Sequence, residues 1–211
     1  MGLVILNVEV LLVYYVAIVI VLWIAVNLTF FNFPLGFEIH LFNFIDLFCG
    51  TGGLRLGLEQ ALAEFGIPSQ CIMSAETDKK ACESYKLNFH EDPYRDVKSV
   101  SNLPHFDMLL AGFPCQAFSY AGKQKGFDDT RGTLFFEVAR ILKESKPKFF
   151  FLENVRGLVT HDNGKTFETI KNTLYDLGYG INYLLLNSSH FGVPQNRVRI
   201  YIVGILNQEV K

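Results

Sequence analysis

Cys115 stands directly behind Pro114, at the end of the apolar run "FDMLLAGF", and opens a Gly- and Ser-containing loop, "CQAFSYAGKQKGF". A core strand has no use for such a break. A free thiol with a pKa near about 8.5 is only a few per cent thiolate at neutral pH, yet it is the best nucleophile this chain offers. Glu153 comes off the end of a second apolar run, "FFFLENV". A carboxyl at the mouth of an apolar sheet has its pKa raised by desolvation, which suits it to give a proton or hydrogen bond to a ring nitrogen. Arg197 and Arg199 flank Val198 in "VPQNRVRIYIV". At a period of two they would share one strand face and offer two guanidiniums to a carboxylate, phosphate or carbonyl. The blander readings are a structural cysteine, a strand-end or N-cap glutamate, and salt-bridged surface arginines.

A second group of residues suggests a nucleotide. "DLFCGTGG" places Gly50, Gly52 and Gly53 after a strand and at the start of a helix, where glycine permits a sharp turn and close approach of a ligand to the main chain. A tight strand–helix turn alone would explain them equally simply. Glu76 follows the next apolar run and is placed to accept hydrogen bonds from the hydroxyls of an adenosine ribose. Asp96, in "YRDV", is a third candidate, expected at a strand end. The dinucleotide fingerprint would need a third glycine where Arg55 stands, and an arginine would crowd a helix–sheet contact, so a nicotinamide cofactor is disfavoured.

These residues need a scaffold. Apolar runs over 42–48, 70–76, 106–112 and 148–154 read as buried strands. Between them, helical periodicity covers 53–65, the segment after the N-cap candidate Asp78, and 131–145; a further helix over 165–177 ends at Gly178. Two last strands, 181–187 and 199–206, follow without a helix between them and are expected to pair antiparallel. Strands alternating with helices predict an α/β fold, a doubly wound and mostly parallel sheet. Ligands of such sheets sit outside the carboxyl ends of the strands, where all the candidates fall.

The chain has 211 residues, half of them hydrophobic, which is enough for one domain with a sizeable core. Residues 1–43 form an apolar head. Its run 10–26 holds 17 consecutive apolar residues, at the lower edge of what spans a bilayer, and no Lys or Arg precedes Arg55. A membrane anchor, non-native upstream sequence and an extra buried element all remain open for it; a signal peptide does not fit. Two of the 21 acidic residues, Glu9 and Glu38, lie in this head, and the other 19 balance the 19 basic ones. A strong DNA-binding module is usually basic, so this balance argues against the chain alone being one. Cys49, Cys71 and Cys82 show no zinc or CxxC spacing and read as buried thiols of a reducing cytosol.

Taken in order, "FIDLFCGTGG", "AETD", "GFPCQAFS", "RGTLFFEVARIL", "ENV" and "QNRVRIYIV" resemble the DNA cytosine-5 methyltransferase family. The resemblance implies a Rossmann-like methyltransferase domain over 44–211 with S-adenosylmethionine as methyl donor. Phe48 would stack on the adenine, the Gly50–Gly53 turn would pass the methionine part, and Glu76 would hold the ribose. Asp96 would meet the adenine amino group, while Gly112, Pro114 and Leu134 would line the same pocket. It implies that the Cys115 thiolate adds to C6 of a cytosine flipped out of double-stranded DNA. Glu153 would bind N3 and the amino group, and Arg197, with Arg199, would sit on O2. The loop through Lys123, Lys125 and Arg131 would close over phosphates. Thr77 stands where the family usually has a Trp, which weakens one adenine contact. The family's target-recognition domain, and a segment returning to the sheet, would have to come after Lys211. The expectation is therefore a restriction-modification type enzyme present as a fragment or as one chain of a split pair; an inactive cofactor-binding remnant is the alternative.

Overall fold

Short runs of Phe, Ile, Leu and Val build a six-stranded sheet in the computed structural model, which describes residues 41–114, 134–192 and 194–207. The strands are β1 (Phe42–Leu47), β2 (Ser69–Ala75), β3 (Met108–Ala111), β4 (Phe149–Val155), β5 (Tyr179–Asn187) and β6 (Val198–Leu206). The helices are α1 (Gly53–Glu64), α2 (Lys79–Phe89), α3 (Leu134–Ser145) and α4 (Lys165–Asp176). The strand order is β2-β1-β3-β4-β6-β5. β1 to β4 run parallel, whereas β6 is antiparallel to both β4 and β5. The expected mostly parallel α/β sheet with an antiparallel last pair is thus what forms.

Alternation along the strands sorts the core onto two faces. Ile45, Leu47, Leu109, Phe150 and Leu152 pack with Phe135, Val138 and Leu142 of α3 and with Ile170 and Leu174 of α4. Phe44, Met108, Leu110, Phe149 and Phe151 pack on the other side with Leu58, Ala61 and Leu62 of α1. Each such fully buried Phe or Leu contributes roughly 1.5–3 kcal/mol relative to exposure.

Local signals explain the boundaries. The Asp78 carboxylate accepts the Ala81 amide at 2.8 Å and starts α2, as an N-cap should. Gly178, at φ 88°, turns the chain out of α4 straight into β5, which begins two residues earlier than its apolar run suggests. The apolar head up to residue 40 lies outside the described residues. Among those described, no helix is long and apolar enough to cross a membrane.

Candidate active site

Because β1 to β4 are parallel, their carboxyl ends line up: Leu47 sits opposite both Ala75 and Ala111, and Ala111 opposite Leu152. Phe48, Glu76, Gly112 and Glu153 each follow one of these residues. Antiparallel β6 starts at the same end, with Arg199 opposite Val155. The chain steps from β1 to β2 in one direction and on to β3 in the other, so the crevice of such a sheet opens between the ends of β1 and β3.

Three left-handed residues build the turn that leaves β1: Phe48 at φ 53°, Gly50 at 54° and Gly52 at 91°. A bulky side chain in this region is uncommon, and Phe48 tolerates it while packing half-buried against the core. In front of Gly50 the space is open: a Cβ there would meet nothing within 4 Å. Gly53 is the first, buried residue of α1. Glu76 holds this turn from the end of β2. Its Oε2 accepts the Gly50 amide at 2.9 Å, and its Oε1 accepts the amides of Thr77 and Asp78 at 2.7 and 2.8 Å.

At Gly112 the absent side chain leaves a recess. A Cβ there would lie 3.6 Å from the Phe48 carbonyl oxygen, 3.7 Å from Glu153 Oε2 and 3.9 Å from Leu54 Cδ1. The Glu153 carboxylate thus faces the β1 turn across the end of β3. Pro114 is exposed, and Leu134 opens α3 half-buried against the core.

Four expectations need correction. Glu153 does not sit in a purely apolar mouth: its Oε1 pairs with Arg199 Nε at 2.9 Å, both side chains about one-fifth exposed. Arg197 precedes β6, so the period-two argument for a shared strand face does not reach it. Its amide instead donates to the Asn187 side chain at 3.0 Å. Asp96 does not end a named strand; it lies two residues beyond an isolated bridge between Tyr94 and Glu76. There it caps a short 3-10 turn by accepting the Lys98 amide at 3.0 Å. Arg55 is not a source of crowding either. It is buried between α1 and the end of α2, where Glu59, Glu91 and the Tyr85 hydroxyl bind it.

Cys49, Cys71 and Cys82 are buried free thiols, as expected. Burial pushes the Cys71 thiol up to about 12, and it raises Cys49 and Cys82 as well, so none of the three is primed as a nucleophile. Cys115 and the loop through Lys123, Lys125 and Arg131 lie outside the described residues.

Two residues escaped the sequence reading. Asn154 is buried; its Nδ2 donates to the Phe113 carbonyl at 2.7 Å, and its Oδ1 accepts the Val155 amide at 2.8 Å. It ties the end of β4 to the segment leading into Pro114. The signal was a polar residue next to Glu153 after four apolar strand positions. Asp46 is wholly buried in β1, with no hydrogen-bond donor to either carboxylate oxygen among the described residues. Burial pushes its carboxyl up to about 8, Arg55 opposes this, and Glu59 and Glu76 reinforce it. A charge inside "FIDLF" was its signal.

The sequence profile of C-5 cytosine-specific DNA methylases matches residues 42–211. The type II methyltransferase M.BanI of Aneurinibacillus aneurinilyticus is 63% identical over 169 residues, 80% of this chain and 40% of that protein. M.HhaI of Haemophilus parahaemolyticus is 51% identical over 167 residues, 78% of this chain and 49% of that protein. The chain thus spans between two-fifths and half the length of these curated relatives. Among solved structures, a DNMT2 mutant from Spodoptera frugiperda superimposes with a TM-score of 0.60 at 25% identity, covering 79% of this chain and 50% of that one. Entamoeba histolytica methyltransferase EhMeth does so with a TM-score of 0.60 at 25% identity, covering 82% of this chain and 56% of that one. A sheet whose glycine turn, Glu76 and Glu153 line one end, with a profile match over four-fifths of its length, makes this chain a member of the C-5 cytosine-specific DNA methylase family.

Proposed function

We propose that this chain is the catalytic part of a cytosine-5 DNA methyltransferase of restriction-modification type, which uses S-adenosylmethionine. The observation that carries the proposal is the recess at Gly112. There the Glu153 carboxylate, the Phe48 carbonyl and Leu54 face one another across the strand ends where the sheet's connections diverge. The residues present fit the cofactor. Glu76 is a strand-end carboxylate for the ribose hydroxyls, Gly50 leaves open space beside the main chain, and Phe48 offers an aromatic face. Asp96, Gly112, Pro114 and Leu134 complete the proposed binding set.

In this reading Cys115, three residues beyond Gly112 in sequence, attacks C6 of a flipped cytosine as its thiolate. Glu153 binds N3 and the exocyclic amine and so stabilises charge that builds in the ring. Arg199 holds Glu153 in place, and Arg197 is assigned to the cytosine O2. When bound, S-adenosylmethionine would supply an electrophilic methyl group for C5 and leave as S-adenosylhomocysteine. Loss of the C5 proton to solvent water then re-forms the C5–C6 double bond, breaks the sulfur–C6 bond and frees Cys115 as its thiolate. Reading of the target sequence is assigned to a recognition domain, supplied with this chain or on a second one.

The test is covalent trapping on double-stranded DNA carrying 5-fluorocytosine, with S-adenosylmethionine and a recognition domain from a relative added. A cofactor-dependent adduct that disappears in Cys115→Ser is expected. Cofactor binding without any adduct would overturn the proposal in favour of a non-catalytic remnant.

A further inference from the structure

The start of α1 does not stabilise itself. Its N-cap, Gly52, has no side chain to accept an amide, and the first turn carries no acidic residue. Order comes instead from the last turn of α2. Asn88 Nδ2 donates to the Thr51 carbonyl at 3.1 Å. The ring of Phe89 lies directly on Gly52, so that a Cβ at Gly52 would fall 2.1 Å from Phe89 Cε2. The Arg55 guanidinium stands over the same ring, 4.2 Å from its centroid. Glu91 fixes that guanidinium through two bonds, of 2.8 and 3.2 Å. Phe89 thus contacts both a cation and the backbone of the turn.

We infer that Asn88 and Phe89, backed by Arg55 and Glu91, are positioning residues for the cofactor turn; the inference rests on the S-adenosylmethionine reading above. They hold Thr51 and Gly52, while Glu76 holds Gly50. The physical effect is preorganisation: a turn ordered before the ligand arrives loses less freedom when it binds. The contacts go to the main chain of the turn, and Asn88 is itself exposed, so its amide contributes little to the core.

The experiment is calorimetric titration of the unaltered chain, Asn88→Ala, Phe89→Leu and Phe89→Tyr with S-adenosylmethionine. Melting temperature and amide hydrogen exchange over 50–53 are measured alongside. Asn88→Ala is expected to bind about five- to tenfold more weakly, the equivalent of one lost hydrogen bond. Its melting temperature should stay within about 2 °C, while the turn amides exchange faster. Phe89→Leu should lose affinity and Phe89→Tyr should keep it. Unchanged affinity in Asn88→Ala and Phe89→Leu would overturn the inference whatever the exchange shows. So would a loss of affinity that merely tracks falling melting temperature across the variants. Failure of the unaltered chain to bind would instead strike the cofactor reading itself, and the inference with it.

Discussion

Glu153 and Arg199 meet at 2.9 Å as diagonal neighbours across the antiparallel β4–β6 pair. Glu153 lies opposite Tyr201 and Arg199 opposite Val155, so both side chains emerge on the α1 side of the sheet. That pair fixes the orientation of the Glu153 carboxylate.

Glu153→Gln keeps the shape of the side chain and removes its charge. In methyl-transfer assays with a recognition domain supplied, the rate is expected to fall by about 10² to 10⁴. Urea denaturation should shift by about 1–3 kcal/mol, because the mostly buried Arg199 loses its charge partner although the amide can still accept its hydrogen bond. A rate within threefold of the unaltered chain would remove Glu153 from the chemistry.

Asp46 couples stability to pH. Its folded pKa, about 8, lies above its ordinary value of 3.8. Between those values the folded state holds a proton that the unfolded state has released, so stability is greatest at the acid end of this window and falls as pH rises through it. The contribution is on the order of a few kcal/mol. Asp46→Asn should flatten the decline measured by denaturant titration at several pH values. Parallel curves for the two proteins would disprove the assignment.

Asn154→Ala strands the buried Phe113 carbonyl and should cost about 1–3 kcal/mol. If the bond also aims the segment that carries Cys115, adduct formation on 5-fluorocytosine DNA should slow by more than the loss of folded protein explains. Equal slowing and unfolding would confine Asn154 to stability.

Gly52→Ala and Gly204→Ala separate site from core. Both would bring a Cβ to 2.1 Å from an aromatic ring, Phe89 in the first case and Phe150 in the second. Each should destabilise by about 1–3 kcal/mol. Only Gly52→Ala, which also violates a φ of 91° in the turn proposed to hold the cofactor, should weaken S-adenosylmethionine binding at a temperature where both remain folded. Calorimetry on the two variants is the check.

Much of the fold could be read before any coordinates. The strands at 42–48 and 148–154 announced themselves as apolar runs, and Asp78 announced the start of α2, because burial and capping leave local marks. Glu76 and Gly50 were legible as candidates, but their mutual hydrogen bond joins residues 26 positions apart and has no local signature. Arg197 and Arg199 show the limit from the other side. A period of two holds only inside a strand, and β6 begins between them.

By itself the sequence determined which residue types were on offer: a cysteine after a proline, an acid after an apolar strand, glycines after another, and the family pattern they compose. Local chain chemistry suffices for that. Only the tertiary structure decided that Arg199 pairs with Glu153, that Asn154 reaches the Phe113 carbonyl, and that Arg55 backs the ring of Phe89. Those contacts depend on which strand ends and helix ends the sheet brings within a few ångströms, and distance in space is not written in distance along the chain.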